Sequence, residues 1–228
     1  MAKAKSTIER LAAKHTILKL RLLHPGDKDI LILEALAISK NNIKKGNAMV
    51  TIIADNGNTG IGLELHDFLL QNKITSQYYD ISDADIKPCY GCQGCTYKTF
   101  GKCVFRDDCD VIIPDIMRSE VLVFVSPVCF GSYSFRAKRM MDKFSLAGSR
   151  YYKVKNGELV KSVQGTQKRL MFIGIISDES EASRVAFEQL THETRLITDC
   201  EGKTFIIKDG QAGRQAIGQI GREVGAFA

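Results

Sequence analysis

Six consecutive residues, Val121-Leu122-Val123-Phe124-Val125-Ser126, constrain this chain more than any other segment. The run is β-branched and aromatic, and no polar residue interrupts it before Ser126. A strand with one solvated face alternates apolar and polar residues, so a strand without alternation is covered on both faces. Covering both faces of a sheet calls for helices between successive parallel strands. The rest of the chain supplies that alternation. Val50–Ala54 is a second short apolar run, bounded by the turn-forming Asp55-Asn56-Gly57-Asn58. Residues 62–72 follow with Leu63, Leu65, Phe68 and Leu69 at helical spacing. Ser76–Ile81, Leu170–Ile176 and Thr204–Lys208 complete five strands, and helices are predicted over 111–118, 135–144, 180–196 and 211–227. The polar stretch 145–168 reads as a long loop or small insertion. The expected fold is α/β: a five-stranded parallel sheet with helices on both faces. Ligands bind such sheets beyond the carboxyl ends of the strands, at the switch point of strand order. That rule names Asp55–Gly60 after the first strand and Pro127–Tyr133 after the third.

Residues 1–48 differ from the rest. Ile8, Leu11, Ala12, His15, Leu18 and Leu22 give residues 6–23 a helical period, which His24-Pro25-Gly26-Asp27 breaks before a second helix predicted over 28–41. The domain expectation is therefore a basic helical extension, 1–48, ahead of one α/β domain, 49–228. Ten Lys/Arg and four Asp/Glu fall in the extension, a surplus equal to the whole net charge of +6. Such a segment suits docking onto a second subunit or an acidic partner, the alternative being a solvated helical face. No aromatic residue interleaves with these charges, which argues against nucleic acid. Ile30–Ile38 is interrupted by Glu34 and too short to span a bilayer, and the basic start leads into no signal-like apolar run. The expectation is a cytoplasmic protein without membrane contact.

The first loop has the ingredients of an anion site. Its turn can point consecutive backbone N–H groups inward, and the following helix adds the positive end of its dipole. Asn58 and Thr59 can donate from side chains, while Gly57 and Gly60 tolerate close approach and positive φ. The alternative is a simple turn. Asp55 is awkward beside a dianion and is expected to bond loop amides instead.

Seven cysteines are present, at 89, 92, 95, 103, 109, 129 and 200, and four of them fall within fifteen residues. Without an export signal, such clustering points to metal or redox chemistry rather than a disulfide framework. Two residues separate Cys89, Cys92 and Cys95, and seven separate Cys95 from Cys103. Three thiolates so spaced can wrap one face of a cube while the fourth arrives from the far side of a small loop. Gly91 and Gly94 keep the backbone close to the sulfurs. This suits a 4Fe–4S cluster better than zinc, whose Cys₄ sites usually come as two separated pairs. Cys109 and Cys200 read as structural, and Cys129 as a small buried hydrophobe.

Asn56-Gly57-Asn58-Thr59 resembles the Thr-Gly-Asn-Thr stretch of flavodoxins and the Asn-Gly-Asn-Thr stretch of NAD(P)H-dependent FMN reductases. Ser126-Pro127-Val128-Cys129-Phe130-Gly131, with Lys138 and Met141-Asp142-Lys143 beyond it, resembles that family's Ser-Pro-Val-Tyr-Phe-Gly segment and the helix that follows. The cysteine segment resembles that of iron–sulfur flavoproteins, a branch of the same superfamily. The likeness covers 49–144 motif by motif and 145–228 by element order, and it leaves out 1–48. The reductases' Gly-Ser-Pro-Arg lead is missing, so the first loop is short, and Cys129 stands where an aromatic residue or Thr is usual.

The resemblance implies a flavodoxin-like domain. It implies FMN held by Asp55, Asn56, Gly57, Asn58, Thr59 and Gly60 together with Ser126, Pro127, Val128, Cys129, Phe130, Gly131 and Tyr133, the last with Phe130 as a flat apolar wall. It further implies a 4Fe–4S cluster on Cys89, Cys92, Cys95 and Cys103, a homo-oligomer, and an electron carrier such as ferredoxin as partner. The expected function is electron transfer between a reduced carrier and a small acceptor. The cofactor carries such chemistry, so no catalytic side chain is named; His15, His24, His66 and His192 are scattered. Two alternatives stay open: a cluster-free NAD(P)H-dependent FMN or quinone reductase, and a non-catalytic flavodoxin-fold subunit docking through residues 1–48.

Overall fold

The structure, a computed structural model, describes residues 49–56, 59–165, 168–177 and 180–228. The helices expected over 6–23 and 28–41 lie outside the described residues, as do Gly57 and Asn58.

The alternation of strands and helices is present as read. β1 (Val50–Ala54) leads through a loop into α1 (Ile61–Gln71), then β2 (Ser76–Asp80). A long segment holding one short helix, α2 (Gly94–Tyr97), precedes α3 (Cys109–Arg118) and β3 (Val121–Cys129). β4 (Ser132–Tyr133) turns back on β3 and opens into α4 (Phe135–Asp142), which tightens into a 3₁₀ turn over Lys143–Leu146. After the β5 (Lys153–Lys155) and β6 (Glu158–Val160) hairpin come β7 (Arg169–Ile176), α5 (Glu181–Thr198), β8 (Thr204–Lys208) and α6 (Gln211–Gly225).

Five strands make a parallel sheet in the order β2-β1-β3-β7-β8, with β4 antiparallel at the end of β3. Taken in chain order these five run 2-1-3-4-5, the flavodoxin-like order, whose switch point lies between β1 and β3. Successive residues of β3 serve opposite faces. Val121, Val123 and Val125 join Leu65 and Leu69 of α1 and Ile217, Ile220 and Val224 of α6 in one core. Leu122 and Phe124 join Ile112 and Ile116 of α3, Met140 of α4 and Phe187 of α5 in the other. Phe124 is packed at 5.8 Å from the Phe144 ring and 6.0 Å from Phe172. Burying side chains of this size is worth about 1.5–3 kcal/mol each. Among the described residues no helix is long and apolar enough to cross a membrane.

Two segments differ from expectation. β3 does not end at Ser126: Pro127 still pairs with Ile175 of β7, and Val128 and Cys129 continue against β4. The stretch 145–168 holds the β5–β6 hairpin, turned by Asn156-Gly157 with φ of 52° and 84°. An Asn-Gly pair between short strands is a strong hairpin signal, masked here by the surrounding lysines and serines.

The residue just before β7 is a buried lysine. Lys168 donates to the carbonyls of Met117, at 2.8 Å, and Ser119, and so caps the carboxyl end of α3 where the chain turns into β3. Burial lowers its pKa. Lys168→Met keeps the bulk but strands two carbonyls, and is expected to cost about 1–3 kcal/mol in urea unfolding. A loss below a few tenths would show that water replaces the ammonium there.

Candidate functional site

The loop after β1 is organised by two buried side chains. Asp55 is 1% exposed and accepts from the hydroxyls of Ser134 and, at 3.3 Å, Ser82; its Oδ1 lies 4.0 Å from Arg136. Among the described residues its side-chain partners therefore come from two neighbouring loops, while the amides of Gly57 and Asn58 lie outside the described residues. This commitment resolves the conflict between an acid and an anion site, because the carboxylate is engaged inside the fold. Asn56 spans the other way. Its Oδ1 accepts from the Gly62 amide at 3.0 Å, and its Nδ2 donates to the Tyr78 hydroxyl and, at 3.3 Å, to Asp80. Burial first, then the charge of Asp80, pushes the Tyr78 pKa up to about 12, so the phenol stays neutral. Thr59 folds back to bond the Asn56 carbonyl through both amide and hydroxyl, and Gly60 enters α1 with φ 70°.

The second loop is a β-hairpin projecting past the sheet. Ser126 Oγ accepts from the Ser134 amide at 3.0 Å and donates to the Pro127 carbonyl, which fixes the base of the hairpin. Pro127 and Val128 are half-buried. Phe130 and Gly131 form the two-residue turn, with φ of 51° and 73°. Positive φ at both positions is the type I′ pattern that Asn-Gly normally satisfies. A phenylalanine there costs about 1–2 kcal/mol, and its ring is fully exposed. Neither the strain nor the exposure of this ring is explained by packing within the fold. Two expectations are corrected here. Cys129 is exposed, not buried, because β3 outruns the sheet before reaching it. The Tyr133 ring is no wall for a ligand: it lies in the core against Phe172 and Phe187, at 5.8 and 5.6 Å, with its hydroxyl 3.1 Å from Thr194 Oγ1.

The cysteine segment forms a second feature. Cys89, Cys92, Cys95 and Cys103 line one pocket, the first two exposed and the others half-buried, and all seven cysteines are free thiols. Gly94 makes the closure possible: a Cβ there would meet Val104 Cγ1 at 2.9 Å and Cys92 Sγ at 3.6 Å. Tyr90 and Phe105 flank the opening with ring centroids 5.1 Å apart. Among the described residues, no group of three or more Cys, His, Asp or Glu is placed to hold a single metal ion.

Reading the sequence alone gives no part at this pocket to Asp107 and Lys143, although Lys143 lines it. They form an ion pair whose side chains are 0% and 2% exposed. Asp107 also accepts from the amides of Lys87, at 2.9 Å, and Cys109, at 3.1 Å, so it ties both ends of the cysteine segment together. Burial alone would lower the Lys143 pKa, but the Asp107 bond and nearby negative charge raise it above the ordinary value. Cys109 is buried, 3.8 Å from Met140 Sδ, and burial followed by the Asp107 charge pushes its thiol well above the usual range, consistent with a structural role. The available signal was Met140, Lys143 and Phe144 at helical spacing, a lysine on an apolar face.

The strand order, the helices on both faces and the cradle at the switch point define a flavodoxin-like α/β protein. Residues 50–196 match the family model described as NADPH-dependent FMN reductase, and the chain belongs to that family. It is 32% identical over 88 residues to an iron-sulfur flavoprotein of Methanocaldococcus jannaschii, a match covering 38% of this chain and 45% of that protein. The chain thus spans less than half the length of that relative. Among solved structures, azoreductase AzrA superposes with a TM-score of 0.56 at 13% identity, covering 77% of this chain and 100% of that one. NAD(P)H:quinone oxidoreductase from Methanothermobacter marburgensis gives 0.54 at 10% identity, covering 79% and 98%. At these identities the likeness is one of fold.

Removing the Asp55 carboxylate should loosen the junction of three loops. Asp55→Ala is expected to cost about 1–3 kcal/mol in urea unfolding. Combined with Ser134→Ala, the double variant should deviate from additivity by more than about 0.5 kcal/mol; strict additivity would mean that the two groups do not share a bond.

Proposed function

We propose that this chain is a flavin-dependent oxidoreductase of the iron–sulfur flavoprotein type, holding FMN at the switch point and a 4Fe–4S cluster on Cys89, Cys92, Cys95 and Cys103. The observation that carries the cluster is the convergence of four free thiols on one pocket. A four-iron cluster takes one thiolate on each of its four irons, which occupy alternate corners of a cube, and so spreads its ligands more widely than a single zinc does. For FMN the support is the family together with the cradle. Asn56 holds the head of α1, Gly60 opens its amino end, and Phe130 offers an exposed apolar face at the hairpin tip. Asp55 and Ser134 fix the spacing between the two loops. When bound, FMN exchanges one or two electrons and the cluster one. The protein's part is to orient, to shield and to set potential, which needs no acid or base among its side chains. The exposed Phe130 also favours closure of the site by a second copy of this chain.

Anaerobic purification with iron, sulfide and FMN quantitation tests this reading. Flavin with about four irons per chain is expected, and Cys103→Ser should lose the iron while keeping the flavin. Flavin with no iron in the wild type would favour a cluster-free NAD(P)H-dependent reductase, the reading the family description alone supports. A colourless protein that takes up no added FMN would leave a docking subunit as the better account.

The basic surplus in residues 1–48 supports docking of an acidic electron carrier such as a ferredoxin. Deleting residues 1–47 should lower carrier-dependent turnover at low salt and flatten its salt dependence. Unchanged turnover, salt profile and oligomeric state would refute that partner.

A further inference from the structure

Among the described residues lining the cysteine pocket, Lys143 is the only charged side chain. It reaches the pocket from the 3₁₀ turn after α4, outside the cysteine segment, and is as fully buried as the core around it. Nothing about the fold requires an ammonium at such a place. A buried ion pair is weak support for stability, since well-packed apolar residues often serve as well or better. Its counter-charge, Asp107, also accepts the Lys87 amide two residues before Cys89 and the Cys109 amide at the head of α3. Cys109, pushed towards its neutral thiol by burial, does not compete for the lysine's charge.

We infer that Lys143 and Asp107 act as a matched pair of positioning residues that set the reduction potential of a cluster on Cys89, Cys92, Cys95 and Cys103. The inference rests on the cluster reading above. Four thiolates make such a cluster net negative in both redox states, and reduction adds one further negative charge. A buried ammonium in the pocket wall favours the reduced form and raises the potential; a buried carboxylate behind it does the reverse. In the intact pair the two effects oppose each other, and each is exposed by neutralising its partner.

The test is an EPR-monitored redox titration of the full-length, anaerobically purified protein, with iron content measured alongside. Lys143→Met leaves the carboxylate unopposed, so the potential should fall. Asp107→Asn leaves the ammonium unopposed, so it should rise. Each shift is expected to change the reduced-to-oxidised ratio at fixed potential at least tenfold, which is 59 mV for one electron. Lys143→Arg, which keeps the charge, should stay close to wild type and covers the case in which Lys143→Met does not fold. Opposite shifts in Met and Asn variants cannot come from a merely structural role, which would move both the same way or simply lose iron. A wild-type cluster whose potential is unmoved, or moved in one direction by both variants, overturns this inference and leaves the cluster standing. A wild-type protein without iron overturns both.

Discussion

The molecule is built on a single strand that has no outside. β3 is buried along Val121–Ser126 and is flanked in register by β1 and β7. Its two faces are unequal: valines meet α1 and α6, while Leu122 and Phe124 meet α3, α4 and α5. A slip of one residue would exchange these sets and put Phe124 where only a valine fits. Register is thereby set, and with it the point at which β3 leaves the sheet. The hairpin carrying Phe130 stands where it does because the strand beneath it cannot slide.

The parts of this architecture that follow from period and composition were legible in the sequence. Unbroken apolar runs mark strands buried on both faces, and Leu65 and Leu69 at helical spacing mark α1, because each pattern reflects a face to be covered. The loops following β1 and β3 were legible for a topological reason, as the chain must reverse there. The pairing of distant polar side chains was not. Nothing local tells Asp55 that its partners are Ser134 and Ser82, or Asp107 that Lys143 lies opposite, because such bonds are made by tertiary placement across 79 and 36 residues of sequence separation. Tyr133 illustrates the same limit: hairpin residues alternate sides, and only the register of Ser132 and Tyr133 on β3 decides which ring faces in.

α4 joins the two halves of the site. At its amino end Ser134 caps the helix through the Ala137 amide and donates to Asp55; just past its carboxyl end Lys143 meets Asp107. An eight-residue helix with a buried carboxylate fastened at each end has little freedom to tilt. The loops after β1 and β3 and the cysteine pocket are thus held by one rigid element, which is how precise constellations are maintained on a scaffold. Each carboxylate also bonds a segment far away in sequence, so the helix acts as a strut between loops rather than as one more layer of the core.

The graded burial of the cysteines has a chemical corollary. Cys89, Cys92 and Cys129 are exposed, Cys95 and Cys103 half-covered, and Cys109 enclosed beside Met140. Oxidants reach thiols in the order of access, and the enclosed Cys109, disfavoured as a thiolate, is protected. Air ageing would therefore begin at Cys129 on the hairpin and at the rim of the pocket, with sulfenic acids and mixed disulfides on Cys89 and Cys92. The core would remain intact while the pocket lost its free thiols, and a batch could pass every test of folding with its pocket chemistry already spent.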